Sequence, residues 1–228
     1  MPGLKADGTR PTPAERGKAR AVLNRLKKRY PSIGTALEYR NPWELLVVTV
    51  LSAQTTDENV NKVAPELFHR YSTPADLAEA NPEEVEELVY STGYYRQKAR
   101  AIIEMARDLE EKYGGEVPAD LDEMVKLRGV GRKTASVVLA EAWNIPAIAV
   151  DTHVKRVTRR LGLTDHEDPA KIEQDLKALF PEKEWAGLSM RIIQFGRDVC
   201  DARRPRCGDC GLFSLCEWPE RYEIAARS

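Results

Sequence analysis

The chain has 228 residues, with 35 Lys and Arg against 36 Asp and Glu and a formal net charge of −1. That length can bury one large hydrophobic core or two small ones, and 42% apolar with 31% charged residues excludes a disordered chain. The longest nearly apolar run, residues 45–53, is far too short to cross a bilayer, and the polar opening MPGLKADGTRPTPAERGKAR lacks a secretory apolar region. No membrane association and a cytoplasmic location are expected.

The first element is announced by Thr12-Pro13-Ala14-Glu15, an N-cap, a proline at the first helical position and a capping-box glutamate. Ala19, Val22, Leu23, Leu26 and Tyr30 then recur at helical spacing. Further helix starts stand at Asn41-Pro42, Thr73-Pro74, Asn81-Pro82 and Asp168-Pro169. Residues 45–53 are apolar enough for a buried strand, but Asn41-Pro42-Trp43-Glu44 favours a buried helix. Two later stripes are helical as well: Ala99, Ile102, Ile103, Ala106 and Leu109, then Trp185, Leu188, Ile192, Ile193 and Val199. No strand pair, internal repeat or low-complexity segment is visible. The predicted fold class is all-α, with roughly ten helices. Charge is unevenly spread: residues 1–40 hold ten Lys and Arg against three Asp and Glu, and Lys155, Arg156, Arg159 and Arg160 cluster, while residues 76–90 are acidic. One basic face is expected, as a nucleic-acid partner would require.

Leu127-Arg128-Gly129-Val130-Gly131-Arg132-Lys133-Thr134-Ala135 lies between a short amphipathic helix, residues 121–127, and an Ala/Val-rich one, residues 133–143. Gly129 and Gly131 let the backbone turn tightly and approach a partner, and their amides beside a helix N-terminus fit one phosphate. Lys133 opposes the macrodipole of the helix it opens. Such a position, with partial burial, favours the neutral amine, which is the nucleophilic form. The helix that follows rises about 15 Å over ten residues, and residues 144–150 can span up to about 23 Å if extended. Asp151 can therefore return to the end that holds Lys133, at the start of another helix, where a carboxylate is favoured.

All four cysteines fall near the C-terminus, Cys200, Cys207, Cys210 and Cys216, spaced C-x6-C-x2-C-x5-C. One tight cluster in a cytosolic chain points to a metal centre over disulfides. The spacing serves zinc held by four thiolates and an iron–sulfur cluster equally. Between the first two cysteines, Arg203, Arg204 and Arg206 form a basic loop pinned at both ends, a mount for phosphate contacts.

Together, residues 127–135, Val150-Asp151-Thr152-His153 with Asp151 eighteen positions past Lys133, Leu51-Ser52-Ala53-Gln54-Thr55-Thr56-Asp57, Gly93-Tyr94 and the cysteine spacing resemble the endonuclease III family of helix-hairpin-helix DNA glycosylase/lyases. The likeness runs from about residue 16 to residue 217. It implies two helical domains with a DNA-binding cleft between them. One, residues 35–145, would be a six-helix barrel holding the hairpin (residues 121–143). The other would join residues 1–34 to residues 146–228 around a 4Fe–4S cluster on the four cysteines. It further implies Lys133 as nucleophile at C1′ of a damaged nucleotide, with Asp151 activating it or stabilising charge on the sugar. Gln54 would fill the void left by the extruded base and Tyr94 would be the intercalating wedge, with Gly129, Gly131 and the loop arginines on phosphates. The implied substrates are oxidised or ring-saturated pyrimidines and abasic sites in double-stranded DNA, handled by a monomer associated with the nucleoid. A related adenine glycosylase would lack Lys133, and a non-catalytic DNA-binding relative would lack Lys133 or Asp151. Arg128 departs from the family, which commonly has proline there, and the first fifteen residues lie outside its core.

Overall fold

The computed structural model describes residues 3–227. Among them all regular structure is helical: α1 (Pro13–Arg29), α2 (Pro42–Leu51), α3 (Asp57–Arg70), α4 (Pro74–Ala78), α5 (Pro82–Val89), α6 (Tyr95–Tyr113), α7 (Leu121–Met124), α8 (Arg132–Trp143), α9 (Thr152–Arg160), α10 (Pro169–Leu179), α11 (Trp185–Asp198) and α12 (Arg221–Ala226), with 3-10 turns at Tyr90–Thr92, Glu182–Glu184 and Phe213–Leu215. The anticipated starts are real caps. Thr12 and Glu15 form a reciprocal capping box, and Asn41, Thr73, Asn81 and Asp168 each accept a first-turn amide. The count exceeds the roughly ten expected because α4, α7 and α12, of five, four and six residues, are too short to show a stripe.

The chain divides into two compact units, Thr35–Ile145 and the combination of Met1–Gly34 with Pro146–Ser228. In the first, α2 is buried from Trp43 through Leu51, which is why its sequence shows no polar face. Val60, Ala64, Leu67 and Phe68 of α3, Ala99, Ile102, Ile103 and Ala106 of α6, and Ala135, Val138 and Leu139 of α8 share its core. Each large aliphatic side chain buried there contributes about 1.5–3 kcal/mol.

The second unit has its own core. Val22, Leu23 and Leu26 of α1 join Val154 and Val157 of α9, Ile172 and Leu176 of α10, and Leu188 and Ile192 of α11. A Cβ at Gly196 of α11 would stand 2.9 Å from the His153 Cβ, so a glycine there lets α9 and α11 approach. Residues ahead of α1 are fastened to α10: the Ala6 amide donates to Asp175 at 2.8 Å, and Gln174 donates to the Lys5 carbonyl at 3.2 Å.

Candidate active site and cysteine centre

The turn joining α7 to α8 is shaped by its first glycine. Regular helix stops at Met124, earlier than the expected residue 127, and single-turn bonds carry the chain on, Leu127 N to Met124 O at 3.2 Å and Val130 N to Leu127 O at 3.1 Å. Gly129 has φ of 77°, and a Cβ there would stand 2.9 Å from the Ala101 Cβ, so only glycine fits. Gly131 is different. Its φ of −87° suits any residue, and a Cβ would meet nothing within 4 Å. As N-cap of α8 it offers no side-chain acceptor, whereas Thr56, Asp120 and Asp151 cap their own helices. The first amides of α8 therefore lack a side-chain cap, which suits an approaching anion.

Beside this turn is a recess of about 540 Å³ lined by Asp108, Lys112, Lys126, Arg128 and both glycines. Arg128 takes part through its backbone as well as its charge. Its amide donates to Asp108 Oδ2 at 2.9 Å, a bond proline cannot make, and its guanidinium pairs with Glu104 at 3.2 Å. Burial pushes the Asp108 carboxyl up, but Lys112 and the Arg128 amide outweigh it and hold the group below its ordinary value.

Lys133 is the second residue of α8 and is exposed. The partial burial expected for it is absent because the buried part of α8 begins at Ala135. After Trp143 the chain leaves the helix through Asn144 in the left-handed region, and residues 145–150 contain no helix. Asp151, half-buried, then caps α9: its Oδ1 accepts from the His153 and Val154 amides, both at 2.8 Å. The cap uses one carboxylate oxygen only. Burial pushes the His153 imidazole down, and its Nδ1 lies 3.0 Å from Arg156 Nη2.

Gln54 and Tyr94 share a property that no side-chain pattern shows. Gln54 follows α2 with φ of 56°, Tyr94 precedes α6 with φ of 49°, and among described non-glycine residues only Asn144 joins them in the left-handed region. That conformation costs an ordinary residue roughly 1–2 kcal/mol and concentrates at functional turns. Both side chains are exposed, Tyr94 by 61%. Two neighbours not anticipated as functional support these turns. Lys98 is buried, a position readable from its place beside Ala99 on the apolar face of α6, and its ammonium donates to the Thr92 carbonyl at 2.7 Å. Asn59 bonds to both turns.

No disulfide joins the four cysteines, which line one small pocket with Phe213, Trp218, Arg160, Arg206 and Arg221. Burial raises the Cys207, Cys210 and Cys216 thiols, with the neighbouring cysteines adding to it. Arg160 stacks over Trp218 at 3.8 Å and donates to the Asp201 carbonyl at 2.8 Å. Arg221 Nε is buried without a hydrogen-bond partner among the described residues, which leaves a cationic donor for an anionic occupant. Among those residues no group of three or more His, Cys, Asp or Glu is placed to hold a single metal ion. In the loop, the Arg203 and Arg204 amides both donate to Asp201 Oδ1 at 2.8 Å and their side chains are exposed, whereas Arg206 folds back onto the Asp198 carbonyl.

Residues 47–182 match the HhH-GPD superfamily of base excision DNA repair proteins. Endonuclease III of Synechocystis sp. is 50% identical over 204 residues, 89% of this chain and 93% of that protein. Endonuclease III of Thermotoga maritima is 46% identical over 181 residues, 79% of this chain and 85% of that protein. A solved structure of a trapped endonuclease III–DNA covalent intermediate, an estranged-adenine complex, aligns with a TM-score of 0.86 and 45% identity, covering 91% of this chain and 97% of that one.

Proposed function

This chain belongs to the endonuclease III family of base excision repair DNA glycosylase/lyases, and from that membership we propose that Lys133 is its nucleophile and Asp151 the acidic partner. The observation that carries the proposal is the place of Lys133, exposed in the first turn of a helix whose N-cap is glycine. A phosphate drawn to those amides brings its own sugar to the helix end that bears the lysine. That a related endonuclease III has been trapped covalently on DNA supports the same chemistry here.

In this reading the neutral Lys133 amine attacks C1′ of the damaged nucleotide. The glycosidic electron pair leaves with the base, which takes up a proton, and the amine gives one up. Expulsion of the ring oxygen from C1′ opens the sugar to an iminium. Removal of a C2′ proton then expels the 3′ phosphate, which nicks the strand, and water later frees the lysine. Asp151 accepts the amine proton or stabilises positive charge on the sugar. The base must first leave the stack, at about a few kcal/mol, less when it is damaged. Gln54 fills the void and Tyr94 wedges the duplex. Oxidised or ring-saturated pyrimidines and abasic sites are the substrates, and the enzyme works as a monomer on nucleoid DNA. No helix among the described residues is long and apolar enough to cross a membrane.

Cys200, Cys207, Cys210 and Cys216 would hold a 4Fe–4S cluster. The cavity they line, its arginines and the unpartnered Arg221 Nε suit an anionic group. A 4Fe–4S cluster takes one thiolate at each iron, which fits four cysteines that line one pocket. When bound, the group supplies a rigid cross-link that mounts Arg203 and Arg204 against phosphates, and Arg206 would join them only by leaving the Asp198 carbonyl. The decisive test of the nucleophile is borohydride trapping on lesion-bearing duplexes. Lys133→Gln should abolish the adduct while keeping DNA affinity, and Asp151→Asn should slow turnover yet leave some adduct. A folded Lys133→Gln that still traps at the normal rate would remove the mechanism.

A further inference from the structure

Gln54 and Tyr94 stand on different turns, separated by α3, α4 and α5 in the chain. One side chain joins the two turns. Asn59, half-buried in the first turn of α3, donates from Nδ2 to Thr55 Oγ1 at 3.0 Å and to the Ser91 carbonyl at 2.7 Å, and its Oδ1 accepts from Ser91 Oγ at 3.3 Å. Its orientation is fixed by chemistry, because only the amide nitrogen can face the Ser91 carbonyl. Thr55 follows Gln54 directly, and Ser91 sits in the 3-10 turn that leads through Gly93 to Tyr94. From the other side, Lys98 holds the Thr92 carbonyl of that same turn.

Two left-handed residues on separate turns are each individually strained. Bracing the turns against each other holds both in place, so that neither side chain has to be ordered when DNA arrives. We propose that Asn59 is a positioning residue that couples the Gln54 and Tyr94 turns, so that void filling and wedging occur as one step. The inference rests on the gap-filling reading of those two side chains and adds the link between them.

The test uses Asn59→Asp beside Asn59→Ala. Aspartate keeps the size and the acceptor but loses both N–H donors, and a carboxylate in the first turn favours α3 through the macrodipole. A purely structural role therefore predicts little harm from it. Base excision from duplex DNA should instead fall about ten- to hundredfold in both variants, with cleavage at preformed abasic sites largely retained. The fluorescence of 2-aminopurine beside the lesion, which reports unstacking, should rise more slowly. A double-mutant cycle between Gln54→Ala and Tyr94→Ala should show coupling in the wild-type background and none in Asn59→Asp. Wild-type unstacking and undiminished coupling in folded Asn59→Asp overturn the inference while leaving the gap-filling reading intact. If Gln54→Ala and Tyr94→Ala themselves spare base excision, the gap-filling reading falls and the coupling falls with it.

Discussion

Tyr94 makes the clearest case at the scale of single residues. Its backbone sits at φ of 49° and its ring is mostly exposed, so the side chain contributes little to the core and the conformation costs stability. Tyr94→Gly should be about 1 kcal/mol more stable than Tyr94→Ala, the reverse of their order in a helix. Denaturant unfolding of the two variants measures this, and an alanine variant as stable as the glycine one would contradict the left-handed assignment. Both should lose base excision alike, because the ring is missing in each. Sequence identified Gln54, Tyr94, Lys133 and Asp151 as residue types in a recognisable order. It did not show the two positive φ angles, because backbone dihedrals at turns depend on how flanking helices pack. Arg128 is similar: its charge was visible, but the bond from its amide to Asp108 requires α6 to lie beside the hairpin.

Helix ends were the most legible elements, since capping is local chemistry written in a few adjacent residues. Thr12 and Glu15 illustrate it with a measurable pH dependence. The Thr12 amide, then the Lys5 ammonium, hold the Glu15 carboxyl at about 2, below its ordinary 4.5. A depressed carboxylate contributes its stability in full above the unfolded value, and the contribution is lost as pH falls from about 4.5 to about 2. Glu15→Gln should lower Tm at neutral pH, and the gap from the wild type should close on acidification through that window. A gap that persists at the acid end would mean the glutamate acts through packing. Where α8 begins the cap is missing, and the absence is informative. Gly131→Asp should stabilise the helix by about a few tenths of a kcal/mol, yet weaken DNA binding and lower its salt-dependence slope by about one phosphate. Unchanged affinity at low and high salt would remove the phosphate from this helix end. The lysine in that first turn was expected to be half-buried, but burial depends on which face of α8 meets the core, and periodicity over so short a stretch did not settle it.

At the scale of the whole molecule the cysteine centre is the most exposed to experiment. Freshly purified protein should carry iron and sulfide in comparable amounts, with broad absorption in the near-visible. Stoichiometric zinc without iron in anaerobically handled protein would count against the cluster. Cys207→Ser should lose folding of Pro146–Ser228 and DNA affinity together, read by circular dichroism and filter binding; a folded, fully binding variant would show that the centre is dispensable. The choice between zinc and iron was not available from spacing, because four thiolates in a short segment serve either. The proposed cluster rests on the family likeness, not on the pattern. The all-helical class was legible from capping and stripes, while the core that α1 shares with α9, α10 and α11 was not, since contacts between distant segments leave no local trace. That shared core has a consequence for how the protein is made. During synthesis α1 leaves the ribosome well before its apolar partners, which are encoded more than a hundred residues later. At translation rates of about 5–20 residues per second, its buried face waits on the order of ten seconds for them. Thr35–Ile145 can fold in that interval, and the nascent chain must keep Val22, Leu23 and Leu26 from other apolar surfaces until α10 and α11 emerge.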